Sequence, residues 1–395
     1  KNKSLPIVPI KSVFELYSNG QMQEALDNIE VLIKDYPNES QLFKIRGLCY
    51  KAINKIDESV ESFEKVLAIK PNDIGACFNL GIINMEIGEL DSAVNFYKRV
   101  LTLNPNYIDA YFNLGITFEE LGKLNSAVKS YKKVLTIEPN YFAAHNNLGI
   151  LLKELDHKED AIKSYKKAIE INPNFAEAHN NLGILLKELD HLEDAVKSYK
   201  QAIEINPKYA DAHNNLGNVL KDLGHLDTAV SSFKNAIDLK PGFADAFNNL
   251  GIALQDSGQL NDALKNFEKA ITIKPDFSKA WHNHGYVLIK LKLRKEALES
   301  YERAISLNPK LDLLIGEHEN NKMYLIIWDD FEKNLNKIKN KVDDGEIIIS
   351  PFWLTGLVDN PELHKKYTET YTNNFYIKNN VLPEIGIYPN HKKIR

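Results

Sequence analysis

Small, apolar and aromatic residues recur along this chain with a step of 34 residues. A glycine series runs from Gly47 through Gly81, Gly115, Gly149, Gly183, Gly217 and Gly251 to Gly285. An alanine series runs from Ala93 to Ala297, and an aromatic follows each alanine four residues later, from Tyr97 to Tyr301. Prolines from Pro37 to Pro309 keep the same step. Between these markers the apolar positions follow helical spacing, so each period predicts two helices and two turns. A glycine inside a helix costs about 1 kcal/mol against alanine, which predicts a close approach by the paired helix. Gly88, Gly122, Gly224 and Gly258, or Asn54, Asp156 and Asp190, stand between the two helices and suit a left-handed cap. The proline ends the second helix, since it has no N–H to give and clashes with the preceding turn.

This pattern is identified as the tetratricopeptide repeat. The expected fold is all-α, a right-handed superhelical α-solenoid of helix-turn-helix units with first helices lining a concave groove. Eight full repeats are expected over 40–311, with a degenerate capping repeat over 1–39 that has Val13 at the glycine position. The period stops at Pro309, and residues 312–349 read as a helical extension. A turn is expected at Asp343-Asp344-Gly345, and an N-cap at Asp359-Asn360-Pro361 opening a helix to about Asn374.

One further series is not required by packing. Asn79, Asn113, Asn147, Asn181, Asn215 and Asn249 each precede a Leu-Gly pair, and Asn283 precedes His284-Gly285; Ile45 breaks the row in the first full repeat. Asparagine is a mediocre helix former because its amide competes for the backbone. Two readings stand: an amide bonding to the neighbouring repeat, or a ladder of amides holding the N–H and C=O groups of an extended peptide. His145, His179 and His213 fall on first helices. Equivalent residues on helices packed about 8–10 Å apart cannot share a metal ion, so these read as packing residues. Lysine–carboxylate couples such as Lys153-Glu154 read as a solvated rim.

Composition narrows the classes. Hydrophobic residues make up 44% and charged residues 26%, a folded and soluble balance, and the net charge of -5 offers no basic footprint for nucleic acid or anionic membrane. No stretch approaches the roughly 18 apolar residues of a membrane helix, and Pro6 and Pro9 interrupt any leader, so a cytoplasmic chain is expected. Cys49 and Cys77 read as buried thiols. The first residue is Lys1 rather than Met, and a piece of a longer protein is expected. No nucleophile with its base, phosphate loop or paired-acid site is visible, so the chain itself is expected to be non-catalytic.

The residues after the repeats carry a second resemblance. Trp328 to Phe331, Ser350 to Phe352, Asp359 to Leu363 and Lys393 to Arg395 resemble, in order, the lead-in to the catalytic region of bacterial O-GlcNAc transferase and SPINDLY-like glycosyltransferases. The resemblance implies that residues 350–395 precede a catalytic region lying beyond Arg395, where the nucleotide sugar would bind; no cofactor is expected in this chain. It also implies that Asn79, Asn113, Asn147, Asn181, Asn215, Asn249 and Asn283 hold an acceptor polypeptide in the groove. A stand-alone scaffold assembling protein complexes remains the alternative, and a homodimer is compatible with either.

Overall fold

The computed structural model describes residues 7–309, 314–325, 327, 331–346, 351, 354 and 360–375. The chain divides into two compact units, residues 1–194 and 195–395, with the division falling inside α12 (Leu192–Ile205). No strand is present among the described residues.

The first unit holds α1 (Ile7–Ser18), α2 (Met22–Asp35), α3 (Ser40–Ala52), α4 (Ile56–Ile69), α5 (Ile74–Glu86), α6 (Leu90–Leu103), α7 (Ile108–Glu120), α8 (Leu124–Ile137), α9 (Phe142–Glu154), α10 (Lys158–Ile171) and α11 (Ala176–Glu188). The second holds α13 (Ala210–Asp222), α14 (Leu226–Leu239), α15 (Ala244–Asp256), α16 (Leu260–Ile273), α17 (Ser278–Lys290), α18 (Arg294–Leu307), α19 (Leu314–Tyr324), α20 (Phe331–Asp343) and α21 (Pro361–Phe375). Within each unit successive helices pack as hairpins, each first helix against its own second helix and that second helix against the first helix of the next hairpin.

The packing explains the small residues. A Cβ on Gly81 would lie 2.6 Å from Tyr97, and one on Gly115 2.6 Å from Tyr131. In the second unit Gly217 and Gly251 stand in the same relation to Phe233 and Phe267. The glycine therefore admits an aromatic ring from the second helix of its own hairpin, and that ring is fully buried. Each alanine of the series is also fully buried, where a larger side chain would separate the helices.

Asn54, Asp156 and Asp190 take the left-handed conformation as expected, and so does Lys292, which the sequence did not mark. The turn after α5 shows what this conformation achieves: Gly88 N–H reaches Met85 O at 3.1 Å and Glu89 N–H reaches Asn84 O at 2.8 Å, satisfying helix-end carbonyls. Gly345 likewise has φ +81 in the expected turn. Asn360 caps α21, its Oδ1 accepting from Leu363 N at 3.1 Å. Both cysteines are buried and free, and burial pushes the Cys49 thiol up to about 11.

The period outlasts its markers. Residue 317 lies one period beyond Asn283, and α19 packs on α18 as another first helix would. Leu314 is buried against Tyr301 and Ala304. The sequence hides this because Glu319 occupies the glycine position. A smaller core follows, where Ile315, Ile338, Val342, Leu354, Leu363 and Tyr367 pack together. Among the described residues no helix is long and apolar enough to cross a membrane.

Candidate functional site

Each first helix presents one face that is not consumed by its hairpin partner, and the asparagine row lies on it. Asn79, Asn113, Asn147, Asn181, Asn215, Asn249 and Asn283 are all half-buried. An isoleucine three residues further on shares that face in most repeats: Ile82, Ile116, Ile150, Ile184 and Ile252. Ile150 is exposed and the others are half-buried. The face thus alternates amide and aliphatic surface.

The amides divide by what the preceding repeat places 35 residues earlier. Where that residue is asparagine, the row couples repeats. Asn181 Nδ2 donates to Asn146 Oδ1 at 3.1 Å in the first unit. In the second unit Asn249 donates to Asn214 at 3.0 Å and Asn283 to Asn248 at 2.9 Å. The acceptors Asn146, Asn214 and Asn248 are buried, so these bonds satisfy amides that water cannot reach. Asn146 in turn donates to Asn147 at 3.3 Å.

Where the residue 35 positions earlier is aromatic, as Phe78 is for Asn113 and Phe112 for Asn147, the arrangement differs. Phe78 lies 5.1 Å from Tyr107 and 6.0 Å from Tyr97, and Phe112 lies 5.1 Å from Tyr141 and 5.6 Å from Tyr131. Asn79, which has Lys44 in that position, turns back to its own helix, donating to Gly75 O at 2.8 Å. Asn113 lies against the Tyr97 hydroxyl, and Asn147 donates to the Tyr131 hydroxyl at 3.2 Å. Tyr131 passes its own proton toward Glu119, and burial with this bond drives its hydroxyl far above the ordinary tyrosine range. The sequence reading treated the seven asparagines as one set. The signal that separates them is the residue 35 positions earlier, on the first helix of the preceding repeat.

The histidines are structural. The Nε2 atoms of His145, His179 and His213 lie 2.9, 3.1 and 3.1 Å from the carbonyl oxygens of Pro139, Pro173 and Pro207. Trp281 does the same work, donating to Pro275 O at 2.9 Å. Each ring ties a first helix to the turn that precedes it. The last link of the row is different again, since His282 Nε2 meets Glu317 at 2.7 Å in place of an asparagine pair.

Family models agree with this architecture. TPR repeat and tetratricopeptide repeat models match residues 45–73, 83–122, 118–156, 159–190, 186–224, 217–258, 244–277 and 278–311. The chain belongs to the tetratricopeptide-repeat family. Among solved structures of tetratricopeptide-repeat folds it is similar to MamA, with 32% identity over 42% of this chain and 97% of that one, at a TM-score of 0.39. It is also similar to YrrB, described as a TPR protein with an unusual peptide-binding site, with 26% identity over 47% of this chain and 96% of that one, at 0.40. PilF of Pseudomonas aeruginosa shares 20% identity over 52% of this chain and 93% of its own, at 0.47. No curated protein matches the chain.

The motifs of the second resemblance fall mostly outside the described residues. Trp328, Asp329, Asp330, Ser350, Phe352, Asp359 and Lys393 to Arg395 lie there, while Pro361 to Leu363 open α21.

Proposed function

We propose that this tetratricopeptide-repeat chain captures an extended polypeptide along its first-helix faces. The observation that carries the reading is the pairing of a half-buried amide with an aliphatic side chain on successive first helices, at Asn79 with Ile82, Asn113 with Ile116 and Asn147 with Ile150. An extended chain offers N–H and C=O groups at regular intervals, and an amide can meet both. The asparagines hold its backbone, with Asn79 and Asn113 foremost because neither donates to an asparagine of another repeat. At Asn181, Asn249 and Asn283 one amide N–H already serves the neighbouring repeat, and the second N–H contributes to capture.

The motifs after the repeats support a finer proposal, that capture serves protein O-glycosylation, with GlcNAc-transfer chemistry supplied by a catalytic region that these residues do not contain. The purified chain with UDP-GlcNAc and an acceptor protein should then yield no glycosylated product by mass spectrometry, and transfer would contradict this division of labour. Capture itself is tested by fluorescence anisotropy with unrelated unstructured peptides. Backbone recognition predicts a similar loss of affinity for every peptide when Asn79 and Asn113 are replaced by alanine. A loss confined to one peptide would contradict it.

A further inference from the structure

We propose that the part of the first-helix face formed by α5, α7 and α9 selects polypeptide segments that carry lysine or arginine. This rests on the capture reading above and names the kind of segment captured. The ends of these three helices bring together Glu86, Glu119, Glu120 and Glu154. Glu119 is half-buried, and burial with the nearby Glu154 and Glu120 charges raises its pKa. Lys153 is engaged elsewhere, reaching Glu188 at 2.9 Å, and Lys51 pairs with Glu86 alone, at 3.1 Å. Among the described residues no ion pair reaches Glu119, Glu120 or Glu154.

A second observation points into the same surface. The Tyr97 side chain is fully buried and its hydroxyl has no hydrogen-bond acceptor. The equivalent hydroxyl one repeat on, that of Tyr131, donates to Glu119. In the Tyr97 hairpin the place of Glu119 is taken by Met85, which cannot accept in the same way. Glu86 and Glu120 both bear electrostatically on Tyr97, so its hydroxyl lies near the acidic cluster. A main-chain carbonyl of a bound segment, displacing the flexible Met85 side chain, would complete it.

The spread of the carboxylates decides the occupant. Glu120 and Glu154 lie near enough to Glu119 to raise its proton affinity, yet no group of three acidic, histidine or cysteine side chains among the described residues converges to hold a metal ion. Negative charge distributed along successive helices matches positive charge distributed along a chain, and complementarity of this kind governs partner choice and association rate.

The test uses one unstructured peptide in lysine-bearing, glutamate-bearing and neutral forms, titrated against the full chain at low salt. The lysine form should bind about tenfold more tightly than the glutamate form, with the difference shrinking as salt is raised. Glu120→Gln with Glu154→Gln, both exposed positions, should abolish the preference while circular dichroism and the thermal midpoint stay unchanged. Equal affinity for the three forms, or a preference that survives the double substitution, overturns this inference alone. Failure to bind any form overturns the capture reading and this one with it.

Discussion

Compare α5 and α7 in the first unit with α15 and α17 in the second. Both pairs carry an asparagine in the same register, two residues before the glycine that admits the buried ring. In α15 and α17 that asparagine donates to a buried asparagine of the preceding repeat. In α5 and α7 the residue that the preceding repeat offers at that position is Lys44 or Phe78 rather than asparagine, and the amide turns to its own helix or to a tyrosine hydroxyl. A side chain kept in register by a repeat is therefore not kept in one role. The residue facing it from the preceding repeat sets whether the amide joins repeats or is left for the surface.

The largest effect that sharpens this contrast concerns the rings. Cβ atoms on Gly115 and Gly251 would each lie 2.6 Å from the ring behind them, so both must push it aside. Tyr131 is held by Glu119 and Asn147, whereas Phe267 has no hydroxyl to hold. Gly115→Ala should cost about 2–3 kcal/mol and Gly251→Ala about 1–2 kcal/mol, as overpacking adds to lost hydrogen bonds in the first case only. Urea denaturation of the two variants measures the difference. Equal losses would show that the tyrosine tether adds no rigidity.

Next comes the amide link itself. Asn249→Ala leaves the Asn214 oxygen buried without this donor, which should cost about 1–3 kcal/mol. Asn79→Ala removes only a bond within one helix turn and should cost about 0.5 kcal/mol or less. Comparable losses from the two would break the comparison.

The smallest effect lies at the end of the row. His284 stands where Leu250 and Leu216 stand in other repeats, and burial holds its pKa below 6.5. The unfolded chain then binds the proton more readily, so stability is full above 6.5 and falls as pH drops below it toward the folded value. His284→Leu should flatten that slope, read from thermal midpoints across a pH series. A slope unchanged by the substitution would place the titrating group elsewhere.

Much of the fold could be read from the sequence because its markers are backbone and packing constraints. Glycine, alanine and aromatic residues in fixed phase admit one close-packed hairpin, and Asn54, Asp156 and Asp190 announce left-handed turns. Lys292 does not, because a lysine is strained there and only its neighbours hold it in place. Helix was expected over α19, but its place in the repeat register escaped notice because Glu319 stands in the glycine's place, yet Glu317 continues the row through His282. The asparagines were visible as a series, but their division was not. It depends on which atoms face across a repeat boundary, and a single-position pattern does not carry that information.

The most direct test of the account sets two double variants side by side, Asn79→Ala with Asn113→Ala and Asn181→Ala with Asn249→Ala. For each, affinity for a lysine-bearing unstructured peptide and the thermal midpoint are measured on the full chain. The account predicts that the first pair weakens binding with the midpoint nearly unchanged, and that the second pair lowers the midpoint with the smaller change in affinity. The reverse assignment, or the same profile from both pairs, would contradict it.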